Sequence, residues 1–163
     1  MSDGIVIRDG RDADSDAVIA LVDLCWSAYP GVILDVDLEE PGLRHPASHF
    51  RAKDGRFWTA WRGAALHGIV GYAFDPATAT VELHKLYVHP DARRGGLGRR
   101  LTALVEAAAR DRGAARIELW SDTRFETAHR FYRGLGYTRT GRTRDLHDLS
   151  NTTEFHFEKR LGP

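Results

Sequence analysis

The sequence predicts a mixed α/β (α+β) fold: a mostly antiparallel central sheet of about seven strands flanked by about four helices. Three observations predict it. Strand-like segments come in hairpin runs as well as in β-α-β units, which mixes antiparallel with parallel pairing. Two later segments carry apolar residues at helical spacing between strands. No repeat, low-complexity tract or Gly/Ser linker divides the 163 residues, so positions 1–163 read as one domain.

The elements follow in order. "GIVIRDG" is a short first strand. Asp14 and Ser15 are expected to cap a helix with apolar positions Val18, Ile19, Val22 and Trp26, ending near Pro30. The next stretch is irregular, with a short helix after Pro46. "RFWTAWRG" and "ALHGIVGYAFD" are strands joined by a tight Gly-Ala turn, and "ATVELHKLYVHP" completes the meander. A helix then repeats Leu97, Leu101, Leu104, Val105 and Ala108 on one face. "AARIELW" is a strand. "SDTRFETAHRFYRGLGY" is a helix, with a capping box expected from Thr123 and Glu126 and glycine punctuation at Gly134 and Gly136. "YTRTGRTRDLHDL" and "TTEFHFEKRL" close the sheet as an antiparallel pair.

Bulk properties exclude several classes. The 23 Lys and Arg balance 23 Asp and Glu, so no whole-chain basic charge recommends a nucleic-acid partner. The start lacks a signal-peptide pattern and no apolar run is long enough to span a bilayer, so no membrane partner is expected. Cys25 is the single cysteine, which excludes a disulfide framework and fits a reducing, cytoplasmic setting. His45 and His49 have i, i+4 spacing but lack the glutamate of HExxH, and no metal site is expected.

The densest signal is "HPDARRGGLGRRL", residues 89–101, where glycines and arginines stand at a strand-to-helix junction. A helix start leaves N–H groups unpaired and carries a positive dipole end, so it suits phosphate. Glycine lets backbone approach a ligand closely. A Walker A loop fails here, because Arg99 and Arg100 follow Gly98 where Lys-Ser/Thr is needed. The dinucleotide pattern lacks its third glycine, at Leu101. The pattern RxxGxG is met by Arg93, Gly96 and Gly98.

With the preceding "LYVHP" and the later "AHRFYRGLGY", this loop resembles the acyl-CoA-binding motif of the GNAT superfamily of N-acetyltransferases. The resemblance extends to the order of elements over nearly the whole chain. It implies a GNAT-like fold, acetyl-CoA as co-substrate, and direct acetyl transfer to a primary amine, with a small molecule preferred as acceptor over a protein or peptide amine. It also implies that the backbone of Leu86, Tyr87 and Val88 holds the pantetheine arm and faces the thioester oxygen. The pyrophosphate falls to the loop of Arg93, Arg94, Gly95, Gly96, Leu97, Gly98 and Arg99. Tyr132 matches the family's acid near the CoA sulfur, and Glu82 stands where family members carry a catalytic glutamate. Family members are often dimers, so a homodimer is implied.

Strand alternation puts Glu82, His84, Leu86 and Val88 on one face unless a bulge intervenes, which makes His84 a second candidate base. Two positions depart from the family. Phe125 stands where an asparagine often contacts CoA, and Arg94 replaces the usual glycine after the first loop arginine. The resemblance implies an acceptor cleft between residues 26–49 and 142–153, where the acidic run "DVDLEE" can attract a cation. Two rival functions remain at this level: an acyl-CoA sensor without catalysis, and a dinucleotide enzyme. Cysteine catalysis is disfavoured because Cys25 lies far in sequence from the motif.

Overall fold

In the computed structural model, which describes residues 4–162, one seven-stranded sheet organises the chain. Residues 1–3 and 163 of the expected domain lie outside the described residues. The strands are β1 (Ile5–Asp9), β2 (Arg56–Arg62), β3 (Ala65–Asp75), β4 (Thr80–Val88), β5 (Arg116–Asp122), β6 (Thr138–Asp145) and β7 (Thr153–Arg160). Their order is β1-β2-β3-β4-β5-β7-β6. Every neighbouring pair is antiparallel except β4 and β5. The parallel pair requires a crossover, and the helix between them supplies it.

The α-helices are α1 (Ser15–Trp26), α2 (Val36–Glu39), α3 (Pro46–Arg51), α4 (Leu97–Asp111) and α5 (Glu126–Gly134). Short α2 adds to the four expected; Asp35 caps it by accepting from the Leu38 N–H at 3.0 Å. Helix α4 buries Leu97, Leu101, Val105 and Ala109, spaced four apart, against Val81, Leu83, Ile117 and Leu119 of β4 and β5. Burial of each such leucine contributes roughly 1.5–3 kcal/mol. On the opposite face, α1 and α3 bury Val18, Val22, Cys25 and Phe50 against Phe57, Leu66 and Ile69. That second cover meets β2, β3 and β4. Among the described residues no helix is long and apolar enough to cross a membrane.

Two caps differ from expectation. Asp14 precedes α1, yet its carboxylate does not cap that helix. It accepts two bonds from Arg8, each 2.9 Å, and one from the Arg11 N–H at 2.8 Å. Ser15 donates to the Leu43 carbonyl instead. The Thr123–Glu126 capping box does not form either, because α5 begins at Glu126. The Thr123 N–H bonds the Thr153 carbonyl, and Asp122 accepts from the Arg124 N–H. In both places a partner distant in sequence, or a charged side chain, outcompetes the local cap.

Burial pushes the Asp14 carboxyl up, but Arg8 and the Arg11 amide outweigh it and hold it below its ordinary 3.8. A depressed carboxylate stabilises the fold above its unfolded pKa, and that contribution is lost as pH falls through the folded value. Asp14→Asn is therefore expected to cost about 1–2 kcal/mol at neutral pH. In urea denaturation, the gap between wild type and variant should close as the solution is acidified below the ordinary carboxylate range. A constant gap would mean that the ion pair is not the source.

Candidate active site

Strands β4 and β5 pair over only three positions, Thr80↔Arg116, Val81↔Ile117 and Glu82↔Glu118. Beyond Glu82 they part. Residues 83–88 remain laddered to β3 and residues 119–122 to β7, so each strand turns its second edge toward a gap. Backbone N–H and C=O groups along these edges have no strand partner across it. A cavity of about 490 Å³ lies at the parting.

A bulge shapes β4. Ile69 faces Tyr87 and Gly71 faces His84, so Lys85 and Leu86 together oppose one residue of β3. Lys85 has φ of 55°, a left-handed conformation that costs a non-glycine residue about 1–2 kcal/mol. Its ammonium pairs with Glu40 at 2.8 Å and stands 6.0 Å over Trp26. The bulge corrects the expected alternation. Glu82 and His84 share the face of α1 and α3, whereas Leu86 and Val88 pack with the α4 core. Tyr87 returns to the α1 face, edge-on to Trp26.

Glu82, His84 and Tyr132 all line the cavity, with Leu86 and Tyr87. His84 Nε2 lies 2.7 Å from Glu82 Oε2. Burial raises the Glu82 carboxyl, but the His84 hydrogen bond and the charges of His84, Arg144 and Lys53 outweigh it, so it lies below its ordinary 4.5. Glu82 is thus ionised at neutral pH. Tyr132 is buried among Phe131, Tyr137 and Phe157. Burial alone drives its phenol far above the ordinary 10, so it keeps its proton.

The glycine loop sits past the end of β4, outside this cavity's lining. Arg93 is turned back: its Nε donates to the Val88 carbonyl at 3.1 Å and its Nη2 approaches Cys25 Sγ at 3.8 Å. Arg94, Gly95 and Arg99 are exposed, while Leu97 is a core residue. Gly96 has φ of 76°, where a side chain is strained. Gly98 meets a different demand, since a Cβ there would stand 3.3 Å from the Phe131 ring, so α4 and α5 approach closely at this point. Cys25 lies under the loop in space, closer to the motif than its sequence distance suggests. Burial still raises its thiol, so it is not a thiolate nucleophile.

The acidic run is engaged. Asp35 caps α2, Asp37 pairs with Arg44, Glu39 accepts from the Leu149 N–H, and Glu40 holds Lys85. Several lining residues escape sequence reasoning. Trp120 and Asp122 follow the parting on β5. Arg144 donates to Glu154 at 2.7 Å and lies 4.3 Å over Trp120. The alternation of Glu118, Trp120 and Asp122 is the one sequence signal for these. Phe125, at the position of the family asparagine, lines the cavity and packs 4.6 Å from Tyr29.

A parted parallel pair, a glycine-rich helix start and a buried tyrosine together mark the fold class of this sheet. The chain belongs to the acetyltransferase (GNAT) family, whose model matches residues 18–137. N-acetyltransferase 8F1 of Rattus norvegicus is 28% identical over 120 residues, 71% of this chain and 52% of that protein. The chain therefore spans about half the length of the curated relative it matches. An acetyltransferase of Streptococcus agalactiae 2603 superimposes with a TM-score of 0.83 at 20% identity, covering 98% of this chain and 100% of that one. The acetyltransferase yncA of Salmonella typhimurium, solved with its cofactor acetyl-CoA, gives 0.72 at 18% identity over 98% and 95%.

The Glu82 midpoint, read by carboxyl carbon NMR, is expected below 4.5 in the folded protein. His84→Ala should raise it, because burial then acts with less opposition. A midpoint unmoved by that substitution would dissolve the pair.

Proposed function

We propose that residues 1–163 form one acetyltransferase domain, cytoplasmic, which moves an acetyl group from acetyl-CoA directly to the primary amine of a small molecule. The observation that carries this reading is the meeting of Glu82, His84 and Tyr132 in one cavity, where β4 and β5 part. A sensor would need only the strand gap and the loop.

The residues present fit the donor. The gap edge at Leu86 and Tyr87 would hold the pantetheine arm as an added strand, with Val88 at its end. The loop from Arg93 to Arg99 and the α4 start would hold the pyrophosphate, with Arg93 contributing backbone because its side chain anchors the loop. When bound, acetyl-CoA supplies the carbonyl carbon that the amine attacks and the thiolate that leaves; one C–N bond forms as one C–S bond breaks. The Glu82–His84 pair takes the proton from the attacking amine. Tyr132 holds a proton at its hydroxyl for the departing sulfur. The backbone facing the gap supplies donors for developing negative charge. The buried thiol of Cys25 supports direct transfer without an acyl-enzyme. The cavity volume suits a small acceptor.

Calorimetric titration with acetyl-CoA, with NADH as comparison, tests the donor. Acetyl-CoA should bind, NADH should not, and thiol release should require an amine. Binding of NADH alone would overturn the assignment. Tyr132→Phe is expected to lower kcat about a hundredfold, the usual scale for a general acid, with acetyl-CoA affinity little changed. A normal kcat would leave Tyr132 a packing residue.

A further inference from the structure

Single exposed leucines on a protein surface need no explanation, but a group of them at one cavity mouth does. Among the described residues six large apolar side chains stand exposed, and four belong to two segments that meet at the cavity just described. They are Leu38 (67% exposed), Ile33 (49%), Leu149 (48%) and Leu146 (42%). Ile33, Leu38 and Leu146 line the cavity. Leu149 adjoins it, its N–H bonded to Glu39 at 2.9 Å.

This lip is built rather than frayed. The Ile33 N–H donates to Ser150 Oγ at 2.7 Å, and Ser150 is buried. Asp148 closes the second segment by accepting from the Thr152 N–H and hydroxyl, each at 2.8 Å. Two stretches more than a hundred residues apart are thus held so that apolar groups face water at one opening.

Inside the lip the polar lining is built of paired groups. The basic lining residues Lys85 and Arg144 are each committed to a carboxylate, Glu40 and Glu154. An acceptor bearing its own carboxylate or phosphate would have to break one of those pairs and leave a half-buried acid uncompensated. An ammonium reaching Glu82, whose partner His84 Nε2 stands 2.7 Å away, adds a positive group beside that carboxylate instead of removing one.

We infer that the acceptor is a lipophilic primary amine, alkyl or arylalkyl, carrying no acidic group. Its amine reaches the Glu82–His84 pair and its apolar body lies along the Ile33, Leu38, Leu146 and Leu149 lip. The inference rests on the acetyltransferase reading and adds the chemical class of its acceptor.

The test uses the full chain with acetyl-CoA and three probes: n-alkylamines from ethylamine to octylamine, 3-methylbutylamine against leucine, and 2-phenylethylamine against phenylalanine. Each pair differs by one carboxylate. Thiol release gives kcat/KM, and calorimetry gives amine affinity without the donor. The expected kcat/KM rises about fourfold per added methylene before levelling, the scale set by methylene burial. Each amine should exceed its amino acid at least tenfold. Leu38→Asp, at an exposed position, should keep the wild-type melting temperature and acetyl-CoA affinity while flattening the chain-length slope. A flat series in wild type, a preference for the amino acids, or an unchanged slope in Leu38→Asp overturns the inference. So does a flat series in a dimer that Leu38→Asp disperses, which would assign the lip to self-association. Acetyl-CoA binding with a flat series defeats this inference alone. Failure to bind acetyl-CoA defeats the acetyltransferase reading, and direct amine binding then still judges the lip.

Discussion

Two parallel strands that begin paired and then separate set the terms for the rest of this molecule. Interior backbone groups without partners are costly, so a sheet closes its ladders wherever it can. Here β4 is laddered to β3 on both sides of its bulge and β5 is laddered to β7, and each therefore keeps its position while the edge between them stays open beyond Glu82. Helices α4 and α5 pack beneath the same strands through Leu97, Leu101, Tyr132 and Phe131, with Gly98 allowing the close approach. The bulge at Lys85 bends β4 at the parting and exchanges the faces of the residues after it. Strain at Lys85 is offset by its ion pair with Glu40, which also ties α2 to the sheet.

The same opening gathers chemistry of three kinds. Backbone groups at the edge suit an extended ligand. Glu82 and His84, placed before the bulge, face the side that α1 and α3 only partly cover. Tyr132, from the other side, enters with its proton retained by burial. Around the mouth, committed ion pairs and exposed leucines divide the lining into a polar floor and an apolar rim. Backbone edge, carboxylate–imidazole pair and tyrosine thus converge on one opening.

Much of this was legible in the sequence because it is local. Hairpin runs, the α4 stripe and the glycine loop are periodic or punctuated within a dozen residues. "AHRFYRGLGY" places Tyr132 because a helix fixes its spacing. What escaped depends on partners distant in sequence. The bulge at Lys85 has no glycine to announce it, and its conformation is held by Glu40 and Trp26. Asp14 looks like a cap but binds Arg8. Thr123 and Glu126 look like a capping box, but Thr153 takes the Thr123 N–H. The acidic run reads as a rim, yet its members are engaged one by one. The lip forms where Ser150 meets Ile33 and Leu149 meets Glu39 across the fold.

The central claim is that the open edge of β4 and the start of α4 receive the acetyl donor. Amide hydrogen exchange with and without acetyl-CoA tests it most directly. The account predicts that added acetyl-CoA slows exchange in peptides covering Leu86 to Val88 and Gly95 to Arg99, while peptides of β1 and β2 are unchanged. Binding that leaves both segments as fast as before, or protects only the far edge of the sheet, would contradict it.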